Sequence, residues 1–279
     1  MHPTTTSKAA CLLGLAAAVL LALGTGCYQV PVTGRTAINT VSDAAVTKLS
    51  LEAFTQLKKT YPVSRNKALT EQVQRVGDRL ARVVFWDVPN ADWEFVVFEV
   101  PNQINAFAMA GGKVGVFTGL FKIIGNDDQL ASVLAHEIAH VAARHVNERL
   151  SQDMVIQGGG LVVGGIMSTT GTGALTANAV LDAYGLTTGI SSVSFDRKKE
   201  KEADHIGVMY MARAGYDPEE SIRLIERLEE ATSGLAAPPA FLSTHPSNPE
   251  RLLQLMDLMP KALVAYQQSG VKQAAIIAR

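Results

Sequence analysis

The stretch His136-Glu137-Ile138-Ala139-His140 reads H-E-x-x-H and lies within Asp127 to Leu150, a segment whose pattern predicts one long amphipathic helix. Residues four apart share one face of a helix, so His136 and His140 can direct both imidazoles to a single point. Two imidazoles at this spacing suit zinc, and the carboxylate of Glu137 beside them is a candidate general base. Because so short a motif also arises by chance, the rest of the chain has to supply the third ligand.

Length and composition set the frame for this motif. A chain of 279 residues fits one large domain or two small ones, and with 47% hydrophobic residues it can bury a sizeable core. The formal charge is −1, and no basic stripe is interleaved with aromatic residues. We therefore expect no nucleic-acid partner.

The first 26 residues are typical of a secretory signal. Cys11 to Leu23 is an uninterrupted run of apolar and small residues, too short to span a bilayer comfortably. The following Gly24-Thr25-Gly26-Cys27 resembles a bacterial lipoprotein signal, in which the cysteine becomes the lipidated first residue. Removal of the signal would take Cys11 with it and leave Cys27 without a disulfide partner, which favours lipidation over an incidental cysteine. We expect a periplasmic chain anchored to a membrane through Cys27. The residue after this cysteine is Tyr28 and not Asp, and by resemblance to lipoprotein sorting this indicates the outer membrane.

The pattern after the signal predicts a mainly helical α+β fold with a small sheet beside the H-E-x-x-H helix. We expect a turn-rich tether over residues 27–41, a domain over 42–260 and a C-terminal tail over 261–279. The predicted helices are Ser42–Thr60, Asn66–Val84, Asp127–Leu150, Asp196–Ala214, Pro218–Glu230 and Asn248–Met259, and the predicted strands are Trp93–Val100, Asn105–Met109 and Lys113–Thr118.

One long segment, Met154 to Leu181, has no charged residue and is rich in glycine, serine and threonine. That composition is only weakly hydrophobic. We expect small-residue helices and loop packed over the core, and a membrane span remains the weaker alternative.

A catalytic zinc site keeps three protein ligands and one open position, so a third ligand is needed. One zinc-protease pattern places Gly and His seven and ten residues after the first His, but Ala143 and Val146 occupy those positions. His145 would lie about 180° around a continuous helix from His136, at roughly 100° per residue, and is predicted to face away.

The downstream run Glu200-Lys201-Glu202-Ala203-Asp204 is the better candidate. Glu200 and Asp204 share a helical face, so Glu200 could bind zinc while Asp204 hydrogen-bonds a ligand histidine. Glu202 lies about 200° from Glu200 and is expected to be solvated. On spacing alone, such a charged run is more often a solvated face than a metal site.

Four ordered motifs resemble one known family: Asn105-Ala106-Phe107-Ala108 with Gly111-Gly112, the H-E-x-x-H stretch, Glu200-x-Glu202-Ala203-Asp204, and Ser243-Thr244-His245-Pro246. They are similar to the zinc metallopeptidases of the HtpX or CAAX-prenyl-protease type, which are gluzincins. Thr33-Gly34-Arg35 also resembles the mature start of periplasmic lipoprotein members, and the similarity runs roughly from Cys27 to Met259. Some members carry tetratricopeptide repeats after the protease domain, and we expect none here.

The resemblance implies a zincin-like domain with one Zn²⁺ per chain, bound by His136, His140 and Glu200. It further implies Glu137 as the catalytic base and Asp204 as the acid behind a ligand histidine. Met109-Ala110 replaces the common Leu-Pro before the double glycine, which puts details of a substrate strand in doubt.

His245 has three readings: a loop-packing histidine, an oxyanion donor, or a fourth zinc ligand that displaces water and holds the enzyme off. The resemblance favours a position in the active site, and gating over oxyanion donation.

A substrate strand is a weaker expectation. Lys113 to Thr118 alternates loosely and is interpreted as a candidate edge strand, so Gly112, Lys113 and Val114 could bind an extended peptide by strand addition. A tight turn followed by a bulge is equally compatible with this sequence.

Two classes of function follow from these residues. The first is a zinc endopeptidase of the bacterial envelope that cleaves unfolded or misassembled periplasmic and outer-membrane proteins. The second is a non-proteolytic assembly factor or chaperone that uses the same groove. The complete set of ligands and base favours the enzyme, because a binder would not need Glu137. The substrate, the cleavage preference and the oligomeric state stay open.

Overall fold

The computed structural model describes residues 27–153, 175–186, 195–232, 240–246 and 249–270. Predictions for the signal, for residues 154–174 and for residues 271–279 lie outside these ranges. The described strands are β1 Cys27–Gln29, β2 Thr36–Ile38, β3 Glu94–Phe98, β4 Ala106–Met109 and β5 Lys113–Phe117. The helices are α1 Asp43–Thr60, α2 Lys67–Val83, α3 Asp127–Ala142, α4 over residues 145–153, α5 Ala177–Ala183, α6 Arg197–Arg213, α7 Glu220–Thr232, α8 Ala240–Thr244 and α9 Pro249–Gln268.

Helix α3 carries the H-E-x-x-H motif and is buried along most of its length. The side chain of Asn126 caps it by accepting the Gln129 N–H at 2.8 Å, and Asp127 and Asp128 suit the positive end of the helix. Helices α2, α6 and α7 and strand β4 pack around α3. The predicted α+β class, mainly helical with a small sheet beside this helix, is confirmed.

The main sheet has three strands in the order β3-β5-β4, so β5 is central. It pairs in parallel with β3 and antiparallel with β4, and each of its residues is buried. The prediction that Lys113 to Thr118 is an edge strand was therefore wrong. Strand addition at Gly112, Lys113 and Val114 is excluded with it, because both sides of β5 already have partners. The loose alternation reflected burial on both faces, which a single strand pattern cannot distinguish from an edge.

The prediction of a tether over residues 27–41 was also wrong. Strands β1 and β2 form an antiparallel hairpin, in which Val30 and Ala37 are buried in the main core. The hydroxyl of Tyr28 donates to the carbonyl of Ala142 at 2.7 Å. The turn residues that suggested a flexible segment instead make a tight connection, in which Gly34 has φ +68°.

The predicted long helix breaks in two after Ala142. Arg144 has φ +56°, in the left-handed region, and the chain then begins α4 at His145. The guanidinium of Arg144 lies 3.6 Å from the ring centre of Tyr28 and pairs with Asp43 at 2.5 Å. These contacts stabilise the break, and the break changes the direction of the side chains in α4 relative to a continuous helix.

Helix α9 extends beyond the predicted end of the domain at residue 260. It contains Pro260 and continues to Gln268, with Met259 and Ala262 buried. The first part of the predicted tail is therefore folded. None of the helices in the described part of the chain combines the length and the apolar character that a membrane crossing requires.

Candidate metal centre

Four buried side chains bring their ligand atoms together from three places in the chain. His136 and His140 come from α3, Glu200 from α6 and His245 from the residue after α8, and their ligand atoms lie within 4.8 Å of one another. Oε2 of Glu200 lies 3.4 Å from Nε2 of His136, and Oε1 of Glu200 lies 3.4 Å from Nε2 of His140. The two Nε2 atoms are 3.2 Å apart. The structure thus brings the sequence-predicted ligands together around one point.

A close approach of α6 to α3 makes this convergence possible. A Cβ atom added to Gly207 would lie 3.0 Å from the backbone nitrogen and 3.1 Å from the Cα of His136. Both are backbone atoms, so neither helix could give way cheaply. Glycine at this position therefore fixes how near Glu200 stands to the two histidines.

Asp204 stands behind His136, as the shared face with Glu200 predicted. Its Oδ1 lies 3.0 Å from Nδ1 of His136, opposite the nitrogen that faces the cluster. Arg251 in turn holds Asp204 with two hydrogen bonds, from Nε at 2.6 Å and from Nη2 at 2.7 Å. Such a carboxylate–histidine pair orients a metal ligand.

Arg251 is a site residue that the sequence reasoning missed. Besides Asp204, it reaches Oε2 of Glu200 at 3.1 Å and donates to the carbonyls of His245 and Pro246 at 3.2 and 3.0 Å. It stands in the first turn of α9, where a cation is disfavoured by the helix dipole. The sequence showed only an arginine at an unfavourable end of a helix, and its burial against two carboxylates is known from the structure.

His145 and Glu202 lie behind the cluster. His145 is not among the four ligand residues, as predicted, but it packs against His140, and Glu202 is not solvated as we expected. Nδ1 of His145 lies 2.9 Å from Nδ1 of His140, and its Nε2 lies 3.0 Å from Oε2 of Glu202. His145 is fully buried, and the side chain of Glu202 is 9% exposed. The break after Ala142 redirects His145, and the N-terminal hairpin covers Glu202.

The buried ionisable groups of the cluster have strongly shifted pKa values. Burial alone would lower the pKa of His136, but hydrogen bonds with Asp204 and Glu200 outweigh it and raise the pKa to about 10. For His140, burial dominates over Glu200 and holds the pKa well below its usual value. Burial opposes ionisation of Glu200, yet His245, His136 and His140 together hold its pKa well below the usual range.

Glu137 and His245 face each other at the cluster. Nδ1 of His245 lies 3.0 Å from Oε1 of Glu200 and 3.2 Å from Nε2 of His136, while its Nε2 lies 3.4 Å from Oε1 of Glu137. Burial raises the pKa of Glu137, and the electrostatic influence of the neighbouring imidazoles acts against that rise. The imidazole of His245 therefore stands between the ligand cluster and the candidate base.

The donor set fits a divalent transition metal. Imidazole nitrogens with one carboxylate oxygen are the ligands that catalytic zinc takes. Within the described ranges, Glu137 Oε1 and Glu200 Oε2 are buried without a hydrogen-bond partner, although the latter has Arg251 nearby. Buried carboxylate oxygens are costly unless paired, and a cation at this point would contact them. His136, His140 and Glu200 would hold the metal, with His245 as a further donor.

Comparison with known proteins gives matches over most of this domain. The model of peptidase family M48 matches residues 67–259. The mitochondrial metalloendopeptidase OMA1 of Saccharomyces cerevisiae is 39% identical over 182 residues, covering 63% of this chain and 50% of the yeast protein. OMA1 of Schizosaccharomyces pombe is 31% identical over 243 residues, covering 86% and 68%. The beta-barrel assembly-enhancing protease of Escherichia coli is 32% identical over 205 residues, covering 71% and 40%. The chain thus spans 40% to 68% of the length of these relatives.

Proposed function

The chain belongs to peptidase family M48 and carries its metallopeptidase domain, and from this premise we propose that it is a zinc-dependent endopeptidase of the bacterial cell envelope. Family membership confirms the resemblance that the four motifs indicated. The observation that carries the proposal is the convergence of His136, His140 and Glu200 with Glu137 beside them. A binding protein would need neither this ligand set nor a buried carboxylate facing it.

The residues around the cluster have distinct tasks in peptide hydrolysis. When bound, the metal would lower the pKa of a coordinated water and polarise the carbonyl of the scissile peptide. Glu137 takes the proton from the attacking water and delivers it to the leaving amine nitrogen. Burial raises the pKa of Glu137, and a more basic carboxylate is a better proton acceptor. Asp204 and Arg251 keep His136 oriented throughout.

We assign His245 the role of a gate. Its Nδ1 faces the ligand atoms while its Nε2 faces Glu137, so one ring contacts both the metal position and the base. In that position it takes up the space that a water and a substrate carbonyl need. The residues before His245 form the short helix α8, and the backbone N–H of His245 donates to the carbonyl of Phe241 in that helix at 2.8 Å, so a movement of α8 would move the ring.

The proposed substrates are unfolded or misassembled periplasmic and outer-membrane proteins. The relative from Escherichia coli is named a beta-barrel assembly-enhancing protease, and the relative from Saccharomyces cerevisiae is named a mitochondrial metalloendopeptidase. For this chain the apolar run before Cys27 supports export, and the exposed position of Cys27 supports a lipid anchor there, most simply in the outer membrane.

Replacement of Glu137 by Gln tests the proposal. Because the general base is lost while the ligands stay, we expect cleavage of an unfolded protein to fall by about 10²- to 10⁴-fold with zinc still bound. Zinc content and cleavage are measured side by side on the wild type and on Glu137→Gln, with the exposed Glu71→Gln as the matched control. Equal cleavage by wild type and Glu137→Gln would refute the mechanism. Zinc binding with no cleavage by the wild type would favour the assembly-factor alternative.

A further inference from the structure

A chain of hydrogen bonds joins the N-terminal hairpin to one of the metal-site histidines. Thr33 and Arg35, part of the sequence motif that the proposed reaction does not use, both donate to Glu202. The hydroxyl of Thr33 lies 2.7 Å from Oε1, and Nε of Arg35 lies 3.0 Å from Oε1 and 2.8 Å from Oε2. Glu202 then meets Nε2 of His145 at 3.0 Å, and Nδ1 of His145 meets Nδ1 of His140 at 2.9 Å.

The direction of each hydrogen bond in this series can be assigned from the chemistry of its donors and acceptors. A guanidinium and a hydroxyl both donate to Glu202, so its carboxylate only accepts, and Nε2 of His145 must carry a proton. The ring of His145 is fully buried and its one anionic partner is already paired with Arg35, so the ring is neutral and its Nδ1 is an acceptor. Nδ1 of His140 must then donate, which leaves the lone pair on Nε2 of His140.

That lone pair faces the ligand cluster, since Nε2 of His140 lies 3.4 Å from Oε1 of Glu200. We infer that His145 and Glu202 are positioning residues that hold His140 in its metal-binding tautomer, and that Thr33 and Arg35 of the hairpin belong to the same device. The inference rests on the proposed metal centre. It differs from the support of His136, which has its own carboxylate, Asp204, in direct contact.

The simpler reading is that Arg35 only fastens the hairpin to the domain. Arg35 also pairs with Glu148 of α4 at 3.0 Å, and the side chain of Glu148 is 14% exposed. Glu148 has no part in the contacts with His145 or His140 among the described residues. The two carboxylates therefore separate the roles, because both hold Arg35 and only Glu202 leads to the metal site.

The test compares Glu202→Gln with the matched control Glu148→Gln in the purified full chain. In Glu202→Gln the amide presents an N–H either to Arg35 or to His145, and both are donors. We expect zinc affinity, measured by competition with a chelating dye, to fall about 10- to 100-fold in Glu202→Gln. We expect wild-type affinity in Glu148→Gln, partial loss in Arg35→Met, and recovery of part of that loss in Arg35→Lys.

A second measurement does not depend on the variants folding. Nitrogen NMR of the histidine rings in the metal-free wild type should show His140 protonated on Nδ1 and His145 on Nε2. Protonation of His140 on Nε2 would overturn the inference, as would equal affinity loss in Glu148→Gln and Glu202→Gln. If the wild type and His140→Ala bind zinc equally weakly, the proposed metal centre itself fails. Tight binding by the wild type with no loss in Glu202→Gln defeats only the positioning role.

Discussion

At the scale of single residues, the site divides into positions that local spacing could predict and positions that it could not. His136 and His140 follow from helical periodicity, and Glu200 and Asp204 from a shared face together with the family resemblance. Arg251 could not be derived in this way, because its partners lie in α6 and in the loop before α9. A buried guanidinium is recognised by the acids it meets, and those contacts exist only once the chain has folded.

His245→Ala tests the gate at the same scale. Removing the ring clears the space between Glu137 and the ligand cluster, so we expect cleavage of an unfolded protein to rise several-fold, with zinc still held by the remaining three ligands. Initial rates and zinc content are compared with Ser269→Ala, a replacement at the far end of α9. A lower rate at unchanged zinc content would contradict gating and favour a role for His245 in stabilising the oxyanion.

At the scale of elements, the helices with clear caps were predicted to within a residue or two, whereas the end of α3 was missed. Ser42 and Asn66, the first residues of the two predicted helices, cap α1 and α2 with their side chains. No glycine or proline marks the break after Ala142. The break is stabilised instead by the contacts of Arg144 with Tyr28 and Asp43. It redirects His145 toward His140, and the packed hairpin covers Glu202, so neither environment could be predicted from helical spacing.

Gly207→Ala tests the close packing of α6 on α3. The added Cβ would press on the backbone of His136, so we expect a loss of about 1–3 kcal/mol in the free energy of unfolding together with weaker zinc binding. Gly77→Ala in α2 is the control, because the atoms nearest its Cβ would belong to the side-chain ring of Phe95, the first at 2.3 Å, and not to a helix backbone. Urea unfolding and dye competition are measured on both variants. Zinc affinity that falls equally in the two would show that general destabilisation, and not helix spacing, is responsible.

At the scale of the whole molecule, the class of the fold was predictable and the packing of its N-terminal part was not. The alternation of apolar residues predicted the α+β class, because it reports on each element separately. The strands of the hairpin over residues 27–38 have three residues each, too few for such an alternation to show where they pack. Its place is set by Tyr28 on the end of α3 and by Arg35 on Glu148 and Glu202, contacts between residues far apart in sequence. The same hairpin begins at Cys27, so the proposed anchor and the metal site share one element.

Cys27→Ser separates these two roles of the hairpin. The side chain of Cys27 is exposed, so its replacement should change the free energy of unfolding by no more than about 0.5 kcal/mol and leave zinc affinity unaltered. If Cys27 carries the lipid, the variant should move from the membrane fraction to the soluble fraction of fractionated cells, while Tyr28→Phe, one residue away, should stay with the membrane. Membrane retention of Cys27→Ser would contradict a sole lipid anchor, and Met154 to Leu181, which has no charged residue, would then be the segment to test for membrane contact.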